Sequence, residues 1–155
     1  MKPLVKTLYR IYQLCIALPI IAVNTLLTTL IVIVGCAFGN GHFWGYYPGK
    51  WWAWIIVRVL LLPVKVEGRE NLAKGQSYVF VANHQGAFDI FLIYGFLGRN
   101  FKWMMKRQLR NMPFVVKACE AAHHIFVDKR GPSKIRETYD RARATLRDGM
   151  SLVVF

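Results

Sequence analysis

From Ile11 to Phe38 the chain carries no charged residue, a run longer than the ~20 residues that cross a bilayer as a helix. This stretch restricts the fold more than any other. A chain of 155 residues has room for one domain, and little to spare once a membrane-seeking segment is subtracted. Pro19, Asn24, Thr25, Thr28 and Thr29 make the run less apolar than a simple anchor, so a kinked or partly inserted helix is expected. A removable signal peptide would be shorter.

A second apolar run follows a turn-rich aromatic link, Gly39 to Gly49. Trp51, Trp52 and Trp54 open it, Ile55 to Leu62 continue it around Arg58, and Pro63 closes it. It is too short to span a bilayer, but its tryptophans suit the headgroup region, where one ring meets both apolar and wet surroundings. Residues 1–63 are therefore expected to form a helical hairpin that enters or lies in one leaflet. The competing arrangement is a single anchor followed by an ordinary buried helix. Ile33-Val34-Gly35-Cys36 also has the pattern of a lipoprotein processing site.

Charge supports a lipid partner. The formal net charge is +13, from 21 Lys+Arg against 8 Asp+Glu, and 55% of residues are hydrophobic. No acidic residue precedes Glu67, whereas Lys2, Lys6, Arg10, Lys50, Arg58 and Lys65 all do. A hydrophobic, acid-free, basic segment suits an anionic membrane surface better than nucleic acid, for which no recognition motif is present. The basic flanks favour a cytoplasmic location for both ends of the hairpin. Cys15, Cys36 and Cys119 form neither a CxxC pair nor a His/Cys cluster, so disulfides and zinc are not expected.

From Val64 the pattern becomes that of an α/β domain, expected over residues 64–155. Val64–Glu67, Tyr78–Ala82, Phe101–Met105, His124–Val127 and Ser151–Phe155 read as strands. Phe88–Leu97, Pro113–Ala122 and a segment opening at Pro132-Ser133 read as helices. The last places Ile135, Tyr139, Ala142 and Leu146 on one face, with Gly149 as its stop. Strands alternating with helices imply a largely parallel sheet with reactive groups at strand ends. Phe155 falls inside a strand-like run, so a domain incomplete at its C-terminal side is expected.

Within Val79–Phe91, a strand leads directly to His84 and, five residues later, Asp89. On one continuous helix that spacing would splay the two side chains. With His84 in the turn after the strand and Asp89 in the first turn of the helix, the carboxylate can fold back on the imidazole. Asp89 would then fix the ring tautomer and leave the other nitrogen as general base. Neither serine nor cysteine lies beside the pair, so the nucleophile must arrive with the substrate. The competing reading is that His84 caps the turn and Asp89 the helix, with no chemistry.

Asn83-His84-Gln85-Gly86-Ala87-Phe88-Asp89 resembles the NHxxxxD signature of the glycerolipid acyltransferases, in particular the 1-acyl-sn-glycerol-3-phosphate (lysophosphatidic acid) acyltransferases. Further blocks follow in the family's order. Lys106-Arg107-Gln108-Leu109 with Met112-Pro113-Phe114 resembles its Lys-x-x-Leu, Pro-aromatic link, and Ile125-Phe126-Val127-Asp128 resembles its second block. The tryptophan-rich hairpin is similar to the two-helix membrane motif of bacterial members. Two departures stand out. Lys129, followed by Arg130, occupies the place where the family has an arginine gripping the acceptor phosphate, and His123 and His124 stand where a glycine is common.

The resemblance implies a partial glycerolipid-acyltransferase-like αβ domain and a direct acyl transfer. His84 would take the proton from the free sn-2 hydroxyl of lysophosphatidic acid, which attacks the thioester of acyl-CoA or acyl-carrier protein and gives phosphatidic acid. Asp89 would orient His84, and Lys129 and Arg130 would be the candidate phosphate contacts. No cofactor or metal is implied. The expected place is a membrane, the bacterial inner membrane with the catalytic domain facing the cytoplasm. The family's third block, a Glu-Gly-Thr type sequence, and its fourth would lie beyond Phe155, which keeps open a catalytically inactive remnant, an interaction module, or an enzyme acting on another lyso-lipid.

Overall fold

In a computed structural model of the chain, residues 3–106 and 113–155 are described. Arg107, Gln108, Leu109 and Met112 of the expected link lie outside them. Helix α1 (Pro3–Tyr12), a π segment (Gln13–Ala17) and helix α2 (Leu18–Phe38) run as one helix of 36 residues. The π segment ends just before Pro19, whose ring nitrogen cannot donate the next ladder bond, so the irregular turn falls where the ladder is already interrupted. Among the described residues, this helix alone is long and apolar enough to cross a membrane. Only 11% of its most apolar 18-residue stretch is buried within the protein, as in a membrane span or a signal sequence and unlike the core helix of a soluble domain.

Asn40 caps the short helix α3 (Gly41–Trp44) through its side-chain oxygen, which accepts from the His42 N–H at 2.8 Å. Helix α4 (Tyr47–Val59) then doubles back along the long helix. Tyr9 and Tyr12 donate to the carbonyls of Leu60 and Val59, each at 2.7 Å. Farther along, Asn24 donates to the Trp52 carbonyl at 3.2 Å and the Trp52 indole donates to the Thr25 hydroxyl at 2.9 Å. Rising numbers on one helix meet falling numbers on the other, so the pair is antiparallel. Of the polar residues that make the N-terminal run a poor simple anchor, Asn24 and Thr25 clip α4 in place, while Thr29 donates back to the Thr25 carbonyl of its own helix at 2.8 Å.

The α/β part contains β1 (Val79–Val81), α5 (Ala87–Phe96), β2 (Phe101–Lys106), α6 (Pro113–Ala121), β3 (Ile125–Val127), α7 (Pro132–Thr145) and β4 (Ser151–Val154). The strands form one parallel sheet in the order β1-β4-β2-β3. Val81 pairs with Val154, and Trp103 with Val153. This mixed α/β architecture, with a long apolar N-terminal helix and a parallel sheet, agrees with the fold class expected from the sequence. One strand does not form: residues 62–68, which include Val64–Glu67, have no regular structure. Alternating residues supply no hydrogen-bond partner, and no described strand runs beside them.

The main core joins α4 and α5 to the sheet, with Tyr46, Ala53, Tyr94, Phe101, Trp103 and Val153 buried together. Two glycines allow the close approach. A Cβ on Gly49 would meet the Tyr94 ring at 2.6 Å, and one on Gly95 would lie 3.1 Å from the Trp54 backbone nitrogen. A smaller cluster of Ile125, Ala142 and Leu152, with Leu146 packed against it, holds α7 to the other side. The α7 face departs from expectation. Ala142 is buried, but Ile135 and Tyr139 are exposed, and Thr138 takes the buried position between them. The helix ends at Thr145, and Gly149 shapes the next turn with its positive φ of 77°.

Candidate active site

All four strands point the same way, so the segments leaving their C-terminal ends share one edge of the sheet. The chain leaves β1 through residues 82–86, which carry no regular structure, and enters α5 at Ala87. Asp89 lies in the first turn of that helix, where unpaired backbone N–H groups and the helix dipole favour a carboxylate. Its Oδ2 accepts from the N–H of Gln85 at 2.6 Å and of Gly86 at 3.0 Å. The same oxygen faces His84 Nδ1 at 3.2 Å. The two backbone N–H groups, Gln85 first and then Gly86, hold the Asp89 carboxyl below the usual carboxylate value.

This geometry selects a tautomer. An ionised carboxylate only accepts, so Nδ1 must carry the hydrogen and Nε2 presents its lone pair outward. The His84 side chain is 42% exposed and that of Asp89 25%, so the outward edge can be reached from solution. The Phe155 ring covers one face of the imidazole, with centroids 4.2 Å apart and planes at 20°. The sequence placed His84 and Asp89 together, and they stand together; it gave no hint of Phe155, which reaches His84 only through pairing of β1 with β4.

Lys129 and Arg130 follow β3 at the same sheet edge, both exposed. Three strand spacings separate β1 from β3, about 14 Å, so these residues do not sit beside His84 in the sheet. Arg130 is tied to Asp128: its Nε and Nη2 donate to the carboxylate at 3.1 and 3.0 Å, and its backbone N–H donates to Oδ1 at 3.1 Å. That hydrogen bond, ahead of the charge attraction, raises the Arg130 pKa. Arg130 also lines a shallow cavity of about 190 Å³ with Phe126, Lys134, Thr138 and Arg141. The α7 side of this cavity is not legible in the sequence, where the helical period groups Ile135 and Tyr139 as the inward face.

His123 and His124 do different work. The His123 side chain is exposed, while His124 lies against the Tyr94 hydroxyl, its Nε2 at 3.4 Å, and its Nδ1 accepts from the Trp103 N–H at 3.2 Å. Burial pushes its pKa down to about 3, so the ring stays neutral. Among the described residues no group of three or more His, Cys, Asp or Glu could hold a metal ion.

The Acyltransferase family matches residues 63–155, more than half of the chain, with β1, the His84–Asp89 turn and the whole sheet inside the match. The chain belongs to that family. It is 28% identical over 136 residues to the 1-acyl-sn-glycerol-3-phosphate acyltransferase of Saccharomyces cerevisiae, covering 80% of this chain and 42% of the yeast protein. It is also 28% identical over 111 residues to an uncharacterized acyltransferase of Schizosaccharomyces pombe, covering 71% of this chain and 40% of that protein. The chain thus spans about two fifths of the length of the curated relatives it matches. No solved structure matches it.

Proposed function

We propose that the protein transfers a fatty acyl group from the thioester of acyl-CoA or acyl-carrier protein to the free sn-2 hydroxyl of lysophosphatidic acid. The product is phosphatidic acid, a step of phospholipid biosynthesis. The observation that carries the reading is the contact of His84 Nδ1 with Asp89 Oδ2, which leaves Nε2 as a base, and the sequence puts neither serine nor cysteine between or next to the pair. The acceptor hydroxyl gives its proton to Nε2 as its oxygen bonds to the acyl carbon. The carbon–sulfur bond then breaks, and the departing thiolate takes the proton from the imidazolium. No cofactor or metal enters the step. Lys129 and Arg130, exposed after β3 on the same edge of the sheet, are the residues assigned to the acceptor phosphate.

Membrane association fits the exposed apolar side of the long helix, since both acceptor and product are lipids. The αβ domain faces the cytoplasm, with the basic flanks against anionic headgroups. The test is an assay of the chain in vesicles with labelled acyl-CoA or acyl-carrier protein and lysophosphatidate. Transfer that falls at least 10²-fold in His84→Ala supports the reading, in line with a base worth about 10²- to 10⁴-fold. Transfer unaffected by His84→Ala refutes the base. Lipid binding without transfer, in a folded chain, would make it an inactive membrane module, and preference for another lyso-lipid would change the acceptor.

A further inference from the structure

Residues 82–86 carry His84 without regular structure, so the orientation of the imidazole must come from groups around it. The Asp89 carboxylate takes one ring edge at Nδ1, and this contact alone leaves the ring free to swing about it. Phe155 supplies a second constraint, a ring stacked on the imidazole face at 4.2 Å and 20°. Phe155 is itself braced: its ring lies 5.1 Å from that of Trp103, at 31°. Trp103 is 5% exposed and packs on Phe101 at 5.0 Å and on Tyr94 at 6.0 Å. The backbone keeps this column in register, because the Ala82 N–H donates to the Val154 carbonyl at 3.1 Å, joining the two segments that carry His84 and Phe155.

We propose that Phe155 is a positioning residue for His84, the outer end of an aromatic column that runs from the core through Tyr94 and Trp103 to the imidazole. An edge contact and a face contact together fix the ring about both of its axes. Nε2 is then presented in one direction, and the acceptor hydroxyl must come to it along its lone pair, in the plane of a ring that Phe155 holds by one face. The catalytic benefit is orientation: displacing a reacting group by about 1 Å can cost 10²-fold in rate. The assignment rests on His84 being the base, but the stacking can be tested without turnover.

The test uses the whole chain in lipid nanodiscs with isotope-labelled histidine, the His84 Hε1 resonance being assigned by its absence in His84→Ala. A stacked phenyl ring shifts that proton upfield. Phe155→Leu, which keeps bulk and removes the ring, is expected to move the resonance downfield, while Phe155→Tyr leaves it in place and Phe155→Trp moves it further upfield. In the acyl-transfer assay Phe155→Leu should lower kcat by about 10- to 100-fold with KM little changed, and Phe155→Tyr should retain activity. A resonance unmoved in Phe155→Leu overturns the proposal, as does an equal loss of kcat in the Leu and Tyr variants. Should Phe155→Leu fail to fold, an unmoved resonance in Phe155→Trp overturns it. Should no variant turn over while the resonances move as stated, the stacking stands and the acyl-transfer reading is what fails.

Discussion

One oxygen of Asp89 receives two backbone N–H groups and faces His84, so the residue both starts helix α5 and sets the tautomer of that imidazole. Asp89→Asn separates position from charge. Its amide oxygen, in the place of Oδ2, can keep accepting from Gln85, Gly86 and the Nδ1–H, but it carries no charge to stabilise the imidazolium that forms when His84 takes a proton. Acyl transfer should fall about 10²- to 10⁴-fold while circular dichroism is retained, whereas Asp89→Ala should lose activity and loosen the helix start as well. The lowered carboxyl pKa also fixes a sign. The contribution of Asp89 to stability is present above the ordinary carboxyl value of 3.8 and is lost as pH falls through the lower value it has in the fold. The melting temperature of the wild type should therefore drop toward that of Asp89→Asn only below about pH 4, and a gap independent of pH would contradict this. The pairing of His84 with Asp89 was legible in the sequence because seven contiguous residues hold the turn, the imidazole and the helix start. Phe155 was not, since only strand pairing brings it near. Lys129 and Arg130 could be read as candidates, but their engagement could not: the hold of Asp128 on Arg130 depends on the path of the chain after β3.

Helices and strands were legible to different degrees for physical reasons. Strand β2 and helix α5 formed within a residue or two of their expected limits, because apolar runs of those lengths bounded by Gly, Asn or Pro have few alternatives. Val64–Glu67 has strand-like alternation and no neighbouring strand to pair with. On α7 the helical period was right and the direction wrong for Ile135 and Tyr139, because periodicity states which residues share a face but not what lies opposite. The closeness of α4 and α5 was invisible from either segment alone, and it gives a prediction. Gly95→Val would place its Cβ 3.1 Å from the Trp54 nitrogen and 3.3 Å from the Trp54 Cα, backbone atoms that cannot rotate away. The gain in helix propensity does not offset that crowding, and chemical denaturation should show a loss of about 1–3 kcal/mol. A variant as stable as the parent would mean that the helices can separate without cost.

At the scale of the molecule, His124, partly buried against Tyr94 and the Trp103 backbone, makes acid sensitivity a property of the core. Its pKa of about 3 in the fold, against the ordinary 6.5, means that the unfolded chain binds one more proton between those values. Stability should thus decline as pH falls from 6.5 toward 3, beyond any loss from carboxylates, and the slope of unfolding free energy against pH should flatten in His124→Asn. The Tyr94 hydroxyl and the Trp103 N–H contact this ring, and the nearby Lys102 adds, behind burial, to the lowering of the His124 pKa. The core also reaches outside the stretch by which the family is recognised. The match begins at residue 63, yet Tyr46 and Ala53 lie among the buried side chains that seat α5 and the sheet. Trimming the chain to the recognisable stretch would therefore take out part of the floor beneath the candidate site. Where the lineage of the sequence can be read and where the protein can be cut are two different places.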